Sequence, residues 1–371
     1  MSSSKINIGL IGLGVMGASH ASNLMQIPGV CLSAVCGLRK KPTDEFAARF
    51  SAQPFYNIDE MISSADIDAL IIATPHFQHT PITLKAFQAG LHVLTEKPIA
   101  VHKADALKML QAHHTQKHLR FATMFNQRTN PAFIKIKSLI DDGTLGEIRR
   151  VNWIITDWFR TEQYYQSGGW RGTWKGEGGG VLLNQCPHQL DLFQWLFGLP
   201  TKVTAFCQVG KYHNINVEDN VNAYCEFKNG ATGIFIASTG EAPGTNRLEI
   251  TAEKGKLVYE DQKLLFTKNE QAMTQFSQNA EQGFIKPDTT QISIAIEPQH
   301  EQEHLAIIKN FYECIINANA SLIAPAEEGI KSVELANSMI LSSFTGKTIT
   351  LPIDAEVYRR FLADKIDNEQ N

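Results

Sequence analysis

The stretch Leu182–Asp191, LLNQCPHQLD, follows three consecutive glycines and sets Asn184 and His188 four residues apart. That spacing puts both side chains on one face of a helix, with Asp191 one turn further on. An imidazole can take and return a proton near neutrality, and an amide can hold one of its tautomers or bind a substrate hydroxyl directly. The same residues also make an ordinary helix start: asparagine is a favoured N-cap, and Pro187 is tolerated in a first turn, where a missing N–H has no intrahelical partner. On ten residues alone the helix cap is the stronger reading. Lys97, in LHVLTEKPIA, is the third group of interest. An ammonium there could stabilise charge developing on an oxygen, and it follows a strand-like run whose end should face a cofactor crevice. Glu96 beside it suits either a cofactor ribose or the orientation of Lys97.

These groups need elements to position them, and the first third of the chain supplies candidates. Lys5–Ile11, KINIGLI, is a short apolar run that passes through GLGVMG into a plausible helix, ASHASNLMQIP. Gly12, Gly14 and Gly17 thus carry the G-x-G-x-x-G spacing that lets a backbone approach a pyrophosphate at a helix N-terminus. With Leu13, Val15 and Met16 they form the candidate phosphate turn. Alone, the pattern also fits a glycine-rich corner with no ligand. Strand and helix candidates then alternate in VCLSAVC, TDEFAARF, IDALIIAT, TPITLKAFQAG, LHVLTE, ADALKMLQAHH and RFATMF. Such alternation over about 120 residues predicts a parallel sheet with helices on both faces. Thr74 and Pro75, at the end of IDALIIATP, and His79 beyond them are further cofactor candidates, although a histidine so placed more often caps and packs.

A carboxylate about 20 residues beyond the glycines would accept from a ribose 2′-OH and mark NAD. Twenty residues after Gly17 stands Gly37, followed by Arg39, Lys40 and Lys41. No carboxylate repels a 2′-phosphate there and cationic groups attract one, so NADP(H) is favoured over NAD(H). The competing reading is a solvated start to the next helix.

After Asp142 the pattern changes to longer alternating runs: EIRRVNWIITDWF, TKVTAFCQV, NVNAYCEF, ATGIFIAST and RLEITAEKG. Asn229-Gly230 reads as a two-residue hairpin turn, which makes this sheet antiparallel. Helical patterns return in QEHLAIIKNFYECIINA and EGIKSVELANSMILSSF, and the polar stretch from Asn269 to Thr290 reads as a mobile excursion. The expected division is a dinucleotide-binding domain over residues 1–128 and a second α/β domain over 129–371, its last helices packing back on the first.

With 371 residues, two domains are the default. A net charge of -4 and the lack of a long basic run argue against a nucleic-acid surface. No apolar stretch approaches the roughly 20 residues needed to span a bilayer, and the amino terminus lacks a small-residue cleavage site, so the expected compartment is the cytoplasm. Six cysteines without C-x-x-C spacing read as reduced thiols. His113, His114 and His118 fall on one predicted helix, but with no third ligand or acid nearby they read as a solvated face, and no metal is expected.

ATPHFQHTPITLKAFQAGLHVLTEKPIA, with its Glu96-Lys97-Pro98 tripeptide, and GGGVLLNQCPHQLD, with its glycine triplet and His188, resemble the two hallmarks of the glucose-fructose oxidoreductase, inositol dehydrogenase and rhizopine-catabolism family. FNQRTNPAF, DGTLGEIRRV and WRGTWKGEGGG extend the resemblance over nearly the whole chain. It implies an N-terminal Rossmann domain, a C-terminal α/β domain for substrate binding and oligomerisation with a large open, mainly antiparallel sheet, and a homodimer or homotetramer. The implied activity is hydride transfer between nicotinamide and a secondary hydroxyl or keto group of a sugar, inositol or related polyol. Lys97 and His188 would both touch the reacting hydroxyl, and Arg128, Trp170 and Arg171 are candidates for the sugar pocket. Two other activities are compatible with such a resemblance: an NAD-dependent glycosidase that oxidises transiently, and a non-catalytic sensor of dinucleotide and sugar. Inositol dehydrogenases carry Asp where this chain has Asn184, so electrostatic support of the imidazole is expected to give way to positioning by an amide.

Overall fold

Ile6–Ile11 forms a strand, β1, whose residues are buried almost throughout, the environment of a central parallel strand. The computed structural model describes residues 5–369; the Met-Ser-Ser-Ser start, expected to carry no secretory leader, lies outside them. After β1 come α1 (Val15–Leu24), β2 (Val30–Cys36), α2 (Lys40–Phe50), β3 (Gln53–Phe55), α3 (Ile58–Ser64), β4 (Ala69–Ile72), α4 (His79–Gln88), β5 (His92–Thr95), α5 (Lys103–His114) and β6 (Phe121–Thr123). The strands pair in parallel in the order β3-β2-β1-β4-β5-β6. The winding reverses between β1 and β4, and the crevice above the carboxyl ends at such a reversal is where nucleotides bind.

The short β3 and α3 are not among the sequence-predicted elements. Three residues containing a proline show no strand period, and α3 starts from a cap: Asn57 Oδ1 accepts from the N–H groups of Asp59 and Glu60. The histidine trio also divides differently. α5 ends at His114, so His118 lies beyond it, while His113 Nε2 meets the Leu119 carbonyl at 2.9 Å.

α6 (Pro131–Asp141), capped by Asn130 with proline in its first turn, leads to the second sheet. There follow β7 (Ile148–Ile155), α7 (Glu162–Gln166), α8 (Trp174–Glu177), α9 (Pro187–Phe197), β8 (Lys202–Val209), β9 (Glu218–Glu226), β10 (Thr232–Ser238), β11 (Asn246–Ala252), β12 (Gly255–Glu260) and β13 (Lys263–Asn269). α10 (Met273–Asn279), β14 (Thr289–Ile294), α11 (Glu303–Ile316), α12 (Ala326–Thr345), β15 (Ile349–Thr350) and α13 (Ala355–Glu369) complete the described chain. The sheet order is β14-β13-β12-β11-β7-β10-β9-β8-β15, antiparallel except where β7 meets β10. The fold is therefore α/β, a parallel Rossmann sheet followed by a mixed, mainly antiparallel one.

Two local expectations need correction. The β9–β10 turn spans three residues, Lys228 to Gly230, because Phe227 N–H reaches the Ala231 carbonyl and Gly230 takes φ 85°, the left-handed position of a three-residue hairpin. The polar stretch 269–290 is no simple excursion: Met273 N–H bonds the Glu253 carbonyl, and β14, starting at Thr289, adds an edge strand to β13.

The carboxyl-terminal helices bind the two sheets together. Leu305, Ile308 and Phe311 of α11 share a core with Ile8, Leu10 and Leu24. α12 belongs to two cores: Val333 packs with Val93, Ile99 and Phe121, while Leu335, Met339 and Ile340 pack with Leu182, Leu190 and Val221. Met339→Ala should cost about 2–5 kcal/mol through the cavity it leaves. Since α12 serves both cores, tryptophan fluorescence, which reports only residues 153–195, and nicotinamide binding by the first sheet should be lost at the same, lowered urea concentration. Two separated transitions would contradict this.

Candidate functional site

The glycine turn forms the floor of the crevice. A Cβ on Gly17 would collide with the Gly12 carbonyl, so α1 can pack this closely on β1 only with glycine there. Gly14 differs: a Cβ built on it would meet nothing within 4 Å. It caps α1 without a side chain of its own, leaving the first N–H groups of the helix open toward the crevice. Val15 beside it is 86% exposed and Leu38, past the end of β2, is 93% exposed. Leu13 and Met16 are half-buried in the turn. This is a cradle that a dinucleotide would fill, so the residues present fit the group. A Cβ at Gly37 would press on the side chains of Thr43 and Leu13, so any larger residue there requires both to shift. Arg39 caps α2 and is exposed with Lys40 and Lys41.

The β4 and β5 ends form the next wall. Thr74 Oγ1 is buried without a partner, an orphan group suited to a ligand, and Pro75 is exposed. His79, a cofactor candidate by its position in the sequence, takes a different role: its Nδ1 meets the Pro98 carbonyl at 2.8 Å and its Nε2 the Thr74 carbonyl at 2.9 Å, so both nitrogens serve the loops. Glu96 is buried. Its Oε1 lies 2.8 Å from His20 Nε2 of α1, and its Oε2 accepts from Lys97 N–H at 3.1 Å. Burial alone would raise its pKa, but the His20 bond and the nearby cations hold it at about 2. Lys97 Nζ reaches across to donate to the Asn184 backbone carbonyl at 2.7 Å. Burial presses this ammonium toward its neutral form, against the opposing pull of Glu96 and Glu177.

The facing wall begins at the glycine triplet. A Cβ on Gly180 would strike the Glu218 carbonyl, and Glu218 Oε1 accepts from the N–H groups of Gly180 at 2.8 Å and Leu182 at 3.1 Å. α9 starts at Pro187 with Cys186 as its cap, so Asn184 lies ahead of the helix and caps nothing. Nor does it hold His188. Its Nδ2 donates to Glu177 Oε1 and lies 3.1 Å from the Tyr164 hydroxyl. His188 is buried in the first turn of α9, its Nδ1 without a partner and its ring edge-on to Phe125 at 6.2 Å. Burial, then the charge of Lys97, pushes its pKa down to about 3 rather than leaving it near neutrality. Burial pushes Glu177 up to about 7, in spite of the Gly172 N–H and the Asn184 amide.

Trp170 and Arg171 stand at the rim. The Arg171 guanidinium lies over both the Trp170 and Tyr164 rings, at 5.0 and 4.7 Å. Trp170 also meets the buried His76 edge-on at 5.5 Å. Arg128 is held in a buried ion pair. Its Nε and Nη2 donate to the two carboxylate oxygens of Asp191 at 2.7 and 2.6 Å, and both side chains are buried. It ties the turn after β6 to α9, which is what a planar fork does best.

Sequence reasoning passed over Glu177, Glu218 and His20. Glu177 offered one signal, an acid placed directly before the glycine triplet in KGEGGG. His20 offered another, a histidine on the helix that opens at the phosphate turn. Glu218 gave none, because its meaning comes from the loop folded over it.

Residues 6–124 match the family model described as oxidoreductase family, NAD-binding Rossmann fold, and residues 133–258 match the GFO/IDH/MocA C-terminal domain. The myo-inositol 2-dehydrogenase of Thermotoga maritima is 25% identical over 261 residues, 68% of this chain and 74% of that enzyme. The levoglucosan dehydrogenase of Pseudarthrobacter phenanthrenivorans is 27% identical over 289 residues, 68% of this chain and 73% of that enzyme. The crystal structure of the WlbA dehydrogenase from Bordetella pertussis, in complex with NADH and UDP-GlcNAcA, is similar with a TM-score of 0.80 at 26% identity, covering 94% of this chain and 100% of that one.

The buried carboxyls set a pH dependence. Burial raises Glu218 from 4.5 to about 7, so between those values the folded chain binds more protons than the unfolded one. Its contribution to stability therefore falls as pH rises from about 4.5 to 7 and levels off above that. Glu218→Gln stays neutral throughout and should lose less stability than the wild type between pH 5 and pH 8, by a few kcal/mol at most, as read from urea midpoints. Parallel pH curves for the two proteins would refute the assignment.

Proposed function

The chain belongs to the GFO/IDH/MocA oxidoreductase family, and from that premise we propose that Lys97 and His188 carry out the proton and charge work of an NAD(P)-dependent sugar or polyol dehydrogenase. The observation that carries this reading is the Lys97 Nζ bond to the Asn184 carbonyl, which brings the end of β5 against the loop that delivers His188. The nicotinamide, when bound, supplies the hydride acceptor or donor. Gly12, Leu13, Gly14, Val15, Met16 and Gly17 would hold its pyrophosphate, and Thr74 Oγ1 would meet its nicotinamide half. In oxidation of a secondary alcohol, the C–H bond gives up hydride and the O–H bond gives its proton to the His188 imidazole. Burial and the charge of Lys97 lower the His188 pKa to about 3, so the imidazole is neutral and its partnerless Nδ1 can take the proton, but so weak a base depends on Lys97 to acidify the hydroxyl. Lys97 stabilises the oxygen as the carbonyl forms. Asn184 acts through its backbone carbonyl on Lys97 and through its amide on Glu177, a positioning role unlike the expected hold on the imidazole.

For the cofactor we favour NADP(H). No acid stands at Gly37, and Arg39, Lys40 and Lys41 are exposed where a 2′-phosphate would lie. We further place the division between cofactor and substrate halves after residue 128, and a homodimer or homotetramer on the open face of the second sheet. Phe206, Tyr224, Ile234, Ile236 and Ile154 form an apolar patch on that face. No helix of the described residues is long and apolar enough to cross a membrane. The six cysteines are all free, which suits a reducing cytoplasm.

The test is a panel of inositols, aldoses, keto sugars and glycosides with both dinucleotides, following absorbance of the reduced nicotinamide. Lys97→Met should lower kcat by about 10²–10³ while dinucleotide affinity persists. Glycoside cleavage without net nicotinamide reduction would instead point to transient oxidation. Arg39→Ala should raise KM for NADP roughly tenfold, the size of one charge-assisted hydrogen bond, with NAD little affected. Equal changes for both dinucleotides would remove Arg39 from the 2′-phosphate site.

A further inference from the structure

We propose that the substrate carries an anionic group, a carboxylate or a phosphate, held by Arg160 and Arg171 around Tyr164 at the mouth of the Lys97 site. The proposal rests on the dehydrogenase reading for the place of the sugar, and names its chemical class. Arg160 Cζ lies 5.0 Å and Arg171 Cζ 4.7 Å from the centroid of the Tyr164 ring. The hydroxyl of that ring accepts from Asn184 Nδ2 at 3.1 Å and Gln185 Nε2 at 3.2 Å. Two cations therefore sit one side chain away from the residue whose carbonyl holds Lys97.

Among the described residues neither guanidinium forms an ion pair. Arg128, Arg149, Arg150, Arg247 and Arg359 each meet a carboxylate. Arg160 directs Nη1 to the carbonyls of Trp158 and Phe159, and Arg171 directs Nη1 to Ser167. Their Nε atoms, and Nε1 of Trp158 beneath Arg160, are buried without an acceptor.

The acids nearby are already engaged. Glu177 accepts from Gly172 N–H and the Asn184 amide. Glu162 accepts from Asn214 N–H. Asp219 takes the N–H groups of Lys211, Tyr212 and His213 and faces the His213 ring. One tyrosine ring cannot neutralise two cations that lie within about a Debye length of each other. The cluster offers two guanidinium groups that no carboxylate pairs, and unpaired guanidinium donors are the complement of an oxyanion. Arg160 also lines an open recess of about 400 Å³ with Phe159, Glu162, Tyr212 and His213, so its side chain is reached from solvent.

The experiment uses the full chain saturated with its preferred dinucleotide. Calorimetry and steady-state turnover compare glucose with glucuronate and glucose 6-phosphate, galactose with galacturonate and galactose 6-phosphate, and inositol with inositol phosphate. At least one anionic member should bind and react at least tenfold better than its neutral counterpart, and the carboxylate and phosphate arms identify the group. Arg160→Gln and Arg171→Gln should each cut that preference at least tenfold, through KM more than kcat, with partial rescue by Lys at either position. Should a Gln variant fail to fold, the wild-type ratios and the Lys variants still decide. Neutral sugars bound as well as or better than every anionic partner would overturn the proposal, and so would anion preference that survives both substitutions. Anionic binding without hydride transfer to any probe would leave the anion site standing and defeat the dehydrogenase reading.

Discussion

The bond from Lys97 Nζ to the Asn184 carbonyl is the constraint on which the site depends, because it is made between a strand end and a loop 87 residues apart. A lysine side chain in a crevice has many rotamers, and only a fixed acceptor selects one. That acceptor is a backbone atom, so its position is set by the loop rather than by a side-chain choice. The loop is set in turn by Glu218, whose carboxyl gathers the N–H groups of Gly180 and Leu182 at the end of the glycine triplet. On the other side, Glu96 accepts from Lys97 N–H while bound to His20, so the helix that opens at the phosphate turn also steadies the lysine. Cofactor floor and chemical centre are one hydrogen-bonded assembly.

The assembly concentrates ionisable groups where water is scarce. Glu96 keeps its charge because His20 and Lys97 answer it, whereas Glu177 and Glu218 are only partly answered by N–H groups, and burial pushes both toward neutrality. Neutral buried carboxyls beside a charged one are a consistent arrangement, since each additional buried anion would carry a cost of several kcal/mol. His304 stands 5.9 Å from His20 at the start of α11, bringing one more imidazole to the back of this cluster.

Much of this was legible in the sequence where chemistry follows from local spacing. The glycine turn, the Glu96-Lys97 pair and the stretch around His188 are each contained in a short run of chain, so residue types alone carry their meaning. The partners of Arg128 and Asn184 were hidden for the opposite reason. Arg128 looks like a pocket cation until Asp191, 63 residues away, folds onto it. Asn184 looks like a cap until the helix starts three residues later, at a proline, and Glu177 comes within reach. Five of the nine strands of the second sheet, β7 to β11, were clear in their alternating runs, while β12 to β15 were not, and nor was the three-residue turn at Lys228 to Gly230, because Asn-Gly fits turns of either length.

The place of α12 in two cores bears on how the chain is made. β6 ends at Thr123, yet α11 and α12, which help cover the two faces of the first sheet, begin at Glu303 and Ala326. On a ribosome, the roughly 180 residues between them take on the order of 10–40 s to emerge. During that interval the apolar surface that α11 and α12 cover stays exposed, the condition in which nascent chains engage chaperones. The amino-terminal half can look self-contained in outline, but its folding is completed only by the carboxyl-terminal end.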